Sequence, residues 1–209
     1  MILYKTVFKT AETEQIINRS RFITHVAPVN SYEEAQTFVA KIKEKYKDAT
    51  HNVPAIVFGE KQNMQWASDD GEPAGTSGAS MLRVIVEEEL TNVAVVVTRY
   101  FGGIKLGTGG LVRAYSGSCR QGLEAAGTAE VKDKKILRYS MDYSFLGKLN
   151  SISKDGGFDV IKTEYTDLVT VDLSVDPEKS NHLKNIINDL TSGKGALLEE
   201  RVDILKERI

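Results

Sequence analysis

The chain has 209 residues, 41% of them hydrophobic and 27% charged, and a formal net charge of −2. That composition belongs to a globular protein of one large or two small domains, and it excludes a polycation drawn to nucleic acid by bulk charge, so electrostatic docking must use a local patch. The single cysteine, Cys119, excludes an intramolecular disulfide and a cysteine-built zinc site, and the absence of a signal pattern or of ~20 consecutive apolar residues predicts a soluble, cytoplasmic protein with no membrane contact.

Residues 3–11 and 21–29 are rich in β-branched and aromatic side chains and read as strands. A helix follows over 31–46. Ser31 and Glu34 have capping-box spacing there, and Tyr32, Ala35, Phe38, Val39 and Ile42 share one apolar face. Residues 53–60 and 64–68 suggest a hairpin around 61–63. A helix over 76–90 has Thr76 or Ser77 as its cap. The apolar run 91–101 has the length and continuity of a strand covered on both faces, and residues 106–126 read as helical. The chain then turns polar, which places a domain boundary near residue 133 and divides it into 1–132 and 133–209. The tail reads β-α-β-β-α-β: strands at 136–145, 157–165, 168–175 and 196–204, helices at 146–155 and 177–191. Asp176 is the expected cap and Pro177 the first helical residue. This is the order of a ferredoxin-like unit. The fold class is α/β (α+β), built as two α/β sandwiches.

One stretch concentrates chemistry. "RYFGGIKLGTGGLVRAYSGSCRQG", residues 99–122, holds seven of the seventeen glycines, four basic residues and no acid. Each glycine in a helix or strand costs roughly 0.5–1 kcal/mol relative to alanine, so packing or a ligand must offset it. Gly107, Gly109 and Gly110 fall where a helix should begin. About four amide N–H groups and roughly half a positive charge are open to a phosphate there. Arg99, Tyr100 and Lys105 lie just upstream, and Arg113 and Arg120 sit two turns apart on one helical face. The other face, with Leu111, Ala114, Tyr115, Ser118 and Gly122, is mostly small and suits close packing on a sheet. Phosphate or nucleic-acid contact by these residues is one reading; tight turns and packing are the other. The stretch is neither a Walker A loop nor a GxGxxG fingerprint.

The loop "SDDGEPAGTSG", residues 68–78, places Asp69, Asp70 and Glu72 within four residues. Such a cluster can hold Mg²⁺, raise a carboxyl pKa for general-base work, or simply turn the chain. His51 precedes a strand and can face the same site. His25 and His182 have no ligand partner by spacing, and Cys119 reads as a core residue. No HExxH, GxSxG or paired CxxC is present, so no catalytic residue, cofactor or metal is assigned.

Taken together, "SRF" (20–22), "HN" (51–52), "SDDGEPAGTSG" (68–78) and "VVVTRYFGGIKLGTGGLVRAY" (95–115) resemble the Impact family over residues 1 to about 130. The tail resembles the ferredoxin-like domain of bacterial members, which is similar to the last domain of translation elongation factor G. The resemblance implies an N-terminal domain like the second domain of a small-subunit ribosomal protein, with a left-handed βαβ unit, and a role in or near translation. Eukaryotic members bind a co-activator of an initiation-factor kinase through a layout with a preceding partner-binding domain. That partner system is absent from bacteria, so the role is not carried over to a bacterial chain, and the lack of that domain before Met1 departs from the eukaryotic layout. On this resemblance Arg99, Lys105 and Arg113 meet a polyanion, Tyr100 and Phe101 stack on bases, and Asp69 and Asp70 orient the arginines or a hydrated ion. The implied partner is RNA, the ribosome or a translation factor. The alternatives are a purely protein-binding regulator and a nucleotide-phosphate-binding enzyme. The oligomeric state has no sequence signal.

Overall fold

The computed structural model describes residues 2–209. The chain divides into two compact units. One comprises Leu3–Val131 with Lys206–Ile209, and the other comprises Lys132–Leu205 together with Ile2.

The first unit contains, in order, β1 (Ile2–Val7), β2 (Ala11–Ile17), β3 (Ser20–Pro28), α1 (Tyr32–Lys45), β4 (His51–Phe58), β5 (Met64–Ala67), α2 (Gly78–Glu87), β6 (Val93–Tyr100) and α3 (Gly107–Ala126). Its five-stranded sheet has the order β2-β3-β6-β4-β5, with each neighbouring pair antiparallel. β3 and β4 therefore run parallel on either side of β6, and α1 is the crossover between them. β6 is central and covered on both faces. Val93, Val95 and Val97 enter a core with Met81 and Ile85 of α2 and Leu111 and Tyr115 of α3. Ala94 and Val96 enter a second core with Ala35, Val39 and Ile42 of α1. Period-2 alternation thus gives the strand two apolar faces, each with its own helical layer.

The first expected strand, 3–11, ends early, and an unexpected strand follows it. β1 ends at Val7, and β2 is an edge strand whose residues alternate between half-buried and exposed. β2 returns to β3 through Asn18 and Arg19, both at positive φ (45° and 65°), between the paired Ile17 and Ser20. This is a two-residue hairpin without the glycine that usually marks one. α3 lies close on the sheet at Gly122: a Cβ there would stand 2.5 Å from Thr24 Cγ2 and 2.9 Å from Val26 Cγ2. Cys119 is buried beside it, and burial pushes its thiol up to about 12.

The stretch read as a polar boundary is a strand, β7 (Thr128–Met141), in which Ala129 and Val131 are buried between more open neighbours. The division between the units falls within it. The second unit continues with α4 (Leu146–Gly156), β8 (Phe158–Tyr165), β9 (Val169–Val175), α5 (Ser180–Thr191) and β10 (Ala196–Arg208). The sheet is five-stranded, in the order β1-β7-β9-β8 with β10 also pairing β7 and β9 antiparallel to both its neighbours; its β10-β7-β9-β8 part has the order of a ferredoxin-like sheet. Leu137, Leu149, Leu173, Leu183 and Ile187 centre its core. β7 stops at Met141 rather than 145, because Asp142 accepts the Ser144 amide at 2.9 Å and starts a 3₁₀ turn. Pro177 likewise opens a 3₁₀ turn ahead of α5, and Asp176 makes no side-chain cap; it pairs with Lys134 at 2.8 Å. No helix among the described residues is long and apolar enough to cross a membrane.

Candidate functional site

Arg99 follows Val97 on the face of β6 that looks toward α2 and α3, so the alternation that buries the valines buries a guanidinium too; its side chain is 6% exposed. Its cross-strand neighbours are Phe22 on β3 and His51 on β4. The guanidinium carbon lies 5.5 Å from the Phe22 ring centre and 5.4 Å from that of Phe101, a cation between two aromatic rings. Nη1 donates to Glu72 Oε1 at 2.7 Å and Nη2 to Ser20 Oγ at 3.3 Å, while Nε has no partner among the described residues.

The same Glu72 oxygen accepts the Tyr115 hydroxyl from α3 at 2.7 Å. Burial, then the hydrogen bond to Glu72 and its charge, hold the Tyr115 phenol well above its usual range, so it remains a donor. The second oxygen of Glu72, Oε2, stands 3.8 Å from His51 Nε2. His51 Nδ1 is 2.8 Å from the Asp70 carbonyl oxygen. A carbonyl only accepts, so Nδ1 carries a proton and donates it there.

Asp69 and Asp70 work elsewhere. Asp69 Oδ1 accepts from the Ser77 amide (3.1 Å), the Ser77 hydroxyl (2.7 Å) and the Gly78 amide (2.9 Å), and Oδ2 from the Gly75 amide at 2.7 Å. It therefore caps α2 from outside the helix; Ser77 occupies the N-cap position but makes no side-chain cap bond. Burial would raise its pKa, but the hydrogen bonds from Gly75, Ser77 and Gly78 outweigh burial and hold it below the usual carboxylate range. Asp70 receives Lys43 Nζ at 2.5 Å and the Asn52 amide at 2.7 Å. Neither contacts an arginine: Asp69 is bonded within its own loop, Asp70 to Lys43 of α1 and Asn52 of β4, and Glu72 is the acid on Arg99. No group of three or more metal-ligating side chains occurs among the described residues.

α3 begins as expected at Gly107, whose φ of +70° makes the sharp entry that glycine permits. Leu106 stands at the N-cap and offers no side-chain acceptor, so the first-turn amides of a 20-residue helix have no cap. They face a cavity of about 440 Å³ whose lining includes His51, Glu72, Arg99, Phe101 and Lys105. Leu106, Leu111 and Pro73 make much of the remaining wall apolar. Arg113 Nη1 lies 3.7 Å from where a Cβ on Gly109 would stand, so its head folds back over the first turn. A Cβ on Gly110 would stand 3.1 Å from Leu106 Cβ, so this glycine serves packing.

Five of the sequence candidates, His51, Glu72, Arg99, Lys105 and Gly107, line this cavity. Gly109 and Arg113 flank it. Two do not belong. Tyr100 points to the opposite face of β6, donates to Asp48 at 2.9 Å and lies against Arg21. Arg120 sits about 20 Å along the axis from Gly107 at 1.5 Å per residue, pairs with Glu88 at 3.5 Å and lines a different groove, between α2 and α3. The four cations do not converge, and Arg99 and Arg120 have acidic partners from other segments. Tyr115, read as packing, is a polar member of the site; a tyrosine on a helix's buried face was the signal, since a buried hydroxyl needs an acceptor.

With that geometry established, comparison with known proteins gives its relatives. The Impact N-terminal domain matches residues 18–123, and a domain of unknown function, DUF1949, matches residues 140–194. The chain is 40% identical over 206 residues to the IMPACT family member YvyE of Bacillus subtilis, covering 99% of this chain and 95% of that protein. It is 33% identical over 184 residues to the IMPACT family member YigZ of Escherichia coli, covering 87% and 90%. A crystal structure described as a hypothetical protein aligns over 97% of this chain and 96% of that one, at 29% identity and a TM-score of 0.59. The chain belongs to the Impact family.

Proposed function

From that family membership as premise, we propose that this chain is a translation-associated regulatory protein that binds RNA, free or within the ribosome, at the mouth of α3. The observation that carries the reading is the uncapped, glycine-opened start of a 20-residue helix with Lys105 and Arg113 beside it, both without an acidic partner among the described residues. Open amides, a helix dipole and two uncompensated cations attract phosphate in a chain whose net charge is −2, so attraction is local to this mouth. Arg99 supports the wall rather than the ligand, because Glu72 neutralises it.

The test is a titration of a fluorescent single-stranded oligoribonucleotide at several NaCl concentrations. Each phosphate neutralised contributes a slope of about −0.7 in log K against log salt. Lys105→Ala with Arg113→Ala removes two surface cations, so the slope should shallow by about 1.4 units and affinity should fall for every sequence tried. A flat salt dependence, or unchanged binding in the double variant, refutes the reading. Capture of a protein partner that survives nuclease and ignores both substitutions favours the purely protein-binding alternative.

A further inference from the structure

We propose that the cavity beneath the α3 mouth holds a single nucleotide unit. Its phosphate lies on the Gly107–Thr108 amides and Lys105, its base lies against Phe101, and the amino edge of the base turns to Glu72 Oε2, beside His51. This rests on the reading of the mouth as an anion site and adds what lies below it.

Volume, charge layout and an unfilled acceptor argue for it independently. A cavity of about 440 Å³ falls within the roughly 300–1,000 Å³ typical of small-molecule sites. Its cationic character is confined to the mouth. Deeper in, the Arg99–Glu72 pair is neutral as a unit and offers no free cation to a second negative charge, so the ligand carries its anion at the mouth end. Glu72 is 97% buried at the side chain (3% exposed), yet Oε2 accepts no hydrogen bond among the described residues; Arg99 and Tyr115 both use Oε1. Across from it, at 3.8 Å, stands His51 Nε2, on a ring whose Nδ1 faces the Asp70 carbonyl at 2.8 Å. A buried carboxylate oxygen that accepts no hydrogen bond, in a half-closed cavity, calls for a ligand with N–H donors. Between the two polar ends the wall is apolar, and Phe101 is 46% exposed with Arg99 stacked against it. An anionic end, a flat body and a donor edge together describe a nucleotide whose base bears an amino group.

Such a unit can come from the free pool or from an RNA strand, and calorimetric titration of the full chain separates the two. The ligands are AMP, CMP, UMP, ribose 5-phosphate and a six-residue oligoadenylate, tested on the native chain, Lys105→Glu, Phe101→Ser and Lys105→Ala with Arg113→Ala. If free nucleotides are the source, AMP and CMP bind. UMP, which offers carbonyls where CMP has its amino group, binds about tenfold more weakly. Lys105→Glu weakens AMP and ribose 5-phosphate alike, whereas Phe101→Ser weakens AMP roughly 5- to 100-fold and leaves ribose 5-phosphate unchanged. If the source is RNA, mononucleotides give no heat, the oligoadenylate binds, and Phe101→Ser costs it the same factor. Oligoadenylate binding that falls in the Lys105/Arg113 variant but ignores Phe101→Ser overturns the nucleotide cavity and leaves the RNA-binding reading intact. No binding of any ligand overturns both.

Discussion

Changing Glu72 to glutamine isolates the charge at the centre of the site. The native Oε1 holds Arg99 and Tyr115 at 2.7 Å each, and the two charged side chains are 3% and 6% exposed. Glutamine has the same shape and keeps an acceptor oxygen, so the tyrosine retains its partner. What is lost is the counter-charge of a guanidinium that water barely reaches. Removing one member of a buried pair costs about 3–5 kcal/mol, and replacing both with uncharged side chains of similar size is often neutral. Glu72→Gln should therefore lose about 3–5 kcal/mol, out of the roughly 5–15 kcal/mol that holds a typical protein folded. Glu72→Gln with Arg99→Met should recover most of it, and Tyr115→Phe should cost about 1.5–3 kcal/mol for one hydrogen bond to a charged group. Urea unfolding followed by fluorescence suits the question, because Trp66, the single tryptophan, lies in β5 of the unit that holds the site. A Glu72→Gln midpoint equivalent to less than about 1 kcal/mol, or a double variant less stable than the single one, would refute the assignment of a desolvated, mutually dependent pair.

Other outcomes follow from the same geometry. Gly122→Ala forces a methyl against Thr24 and Val26 and should cost about 1–3 kcal/mol, whereas Gly117→Ala in the same helix meets nothing within 4 Å and should stabilise by about 0.5–1 kcal/mol; thermal melts of the two distinguish packing from propensity. Asp69→Ala removes the acceptor for the Gly75, Ser77 and Gly78 amides and should cost about 0.5–2 kcal/mol, read by urea titration. Because its folded pKa is depressed, the contribution of Asp69 is present above pH ~4 and lost as pH falls through the folded value, so the gap between native and variant should close in acid. His25 is held below its usual pKa, first by burial and then by Lys45, against the opposing pull of Glu12. The folded state thus prefers the neutral ring. Stability is full above pH ~6.5 and falls as pH drops from there toward the folded pKa, and His25→Gln should abolish that slope in pH-dependent melts.

The ferredoxin-like tail was legible because its short β-branched runs and apolar helical faces follow one another in β-α-β-β-α-β order, and β6 was legible as a strand covered on both faces. Parity along β6 then decides the site: Arg99 shares the side of Val97, and Tyr100 the side of Val96 and Thr98. The even-handed treatment of Arg99 and Tyr100 as ligands missed that division. The acid-free run misled for a different reason. Charge counted along the chain ignores partners that folding brings in, and Arg99 meets Glu72 from 27 positions away. The Asn18–Arg19 turn left no trace because neither residue is the glycine that such a conformation favours. The roles of Asp69 and Glu72 could not be separated by composition, since both are acids in one loop and only the path of the chain sends one to a helix end and the other beneath a strand.

The oxygen shared by Arg99 and Tyr115 also has a consequence for biosynthesis. Tyr115 joins Glu72 across 43 positions, so a nascent chain that has emerged only through β6 carries the acid and the guanidinium without the helix that shields them from water. Until α3 leaves the exit tunnel there is no enclosed chamber and no dipole at its entrance. The growing polypeptide acquires its capacity to bind all at once, when its longest helix is delivered, and a fragment ending before that point is inert at this position whatever else it has folded.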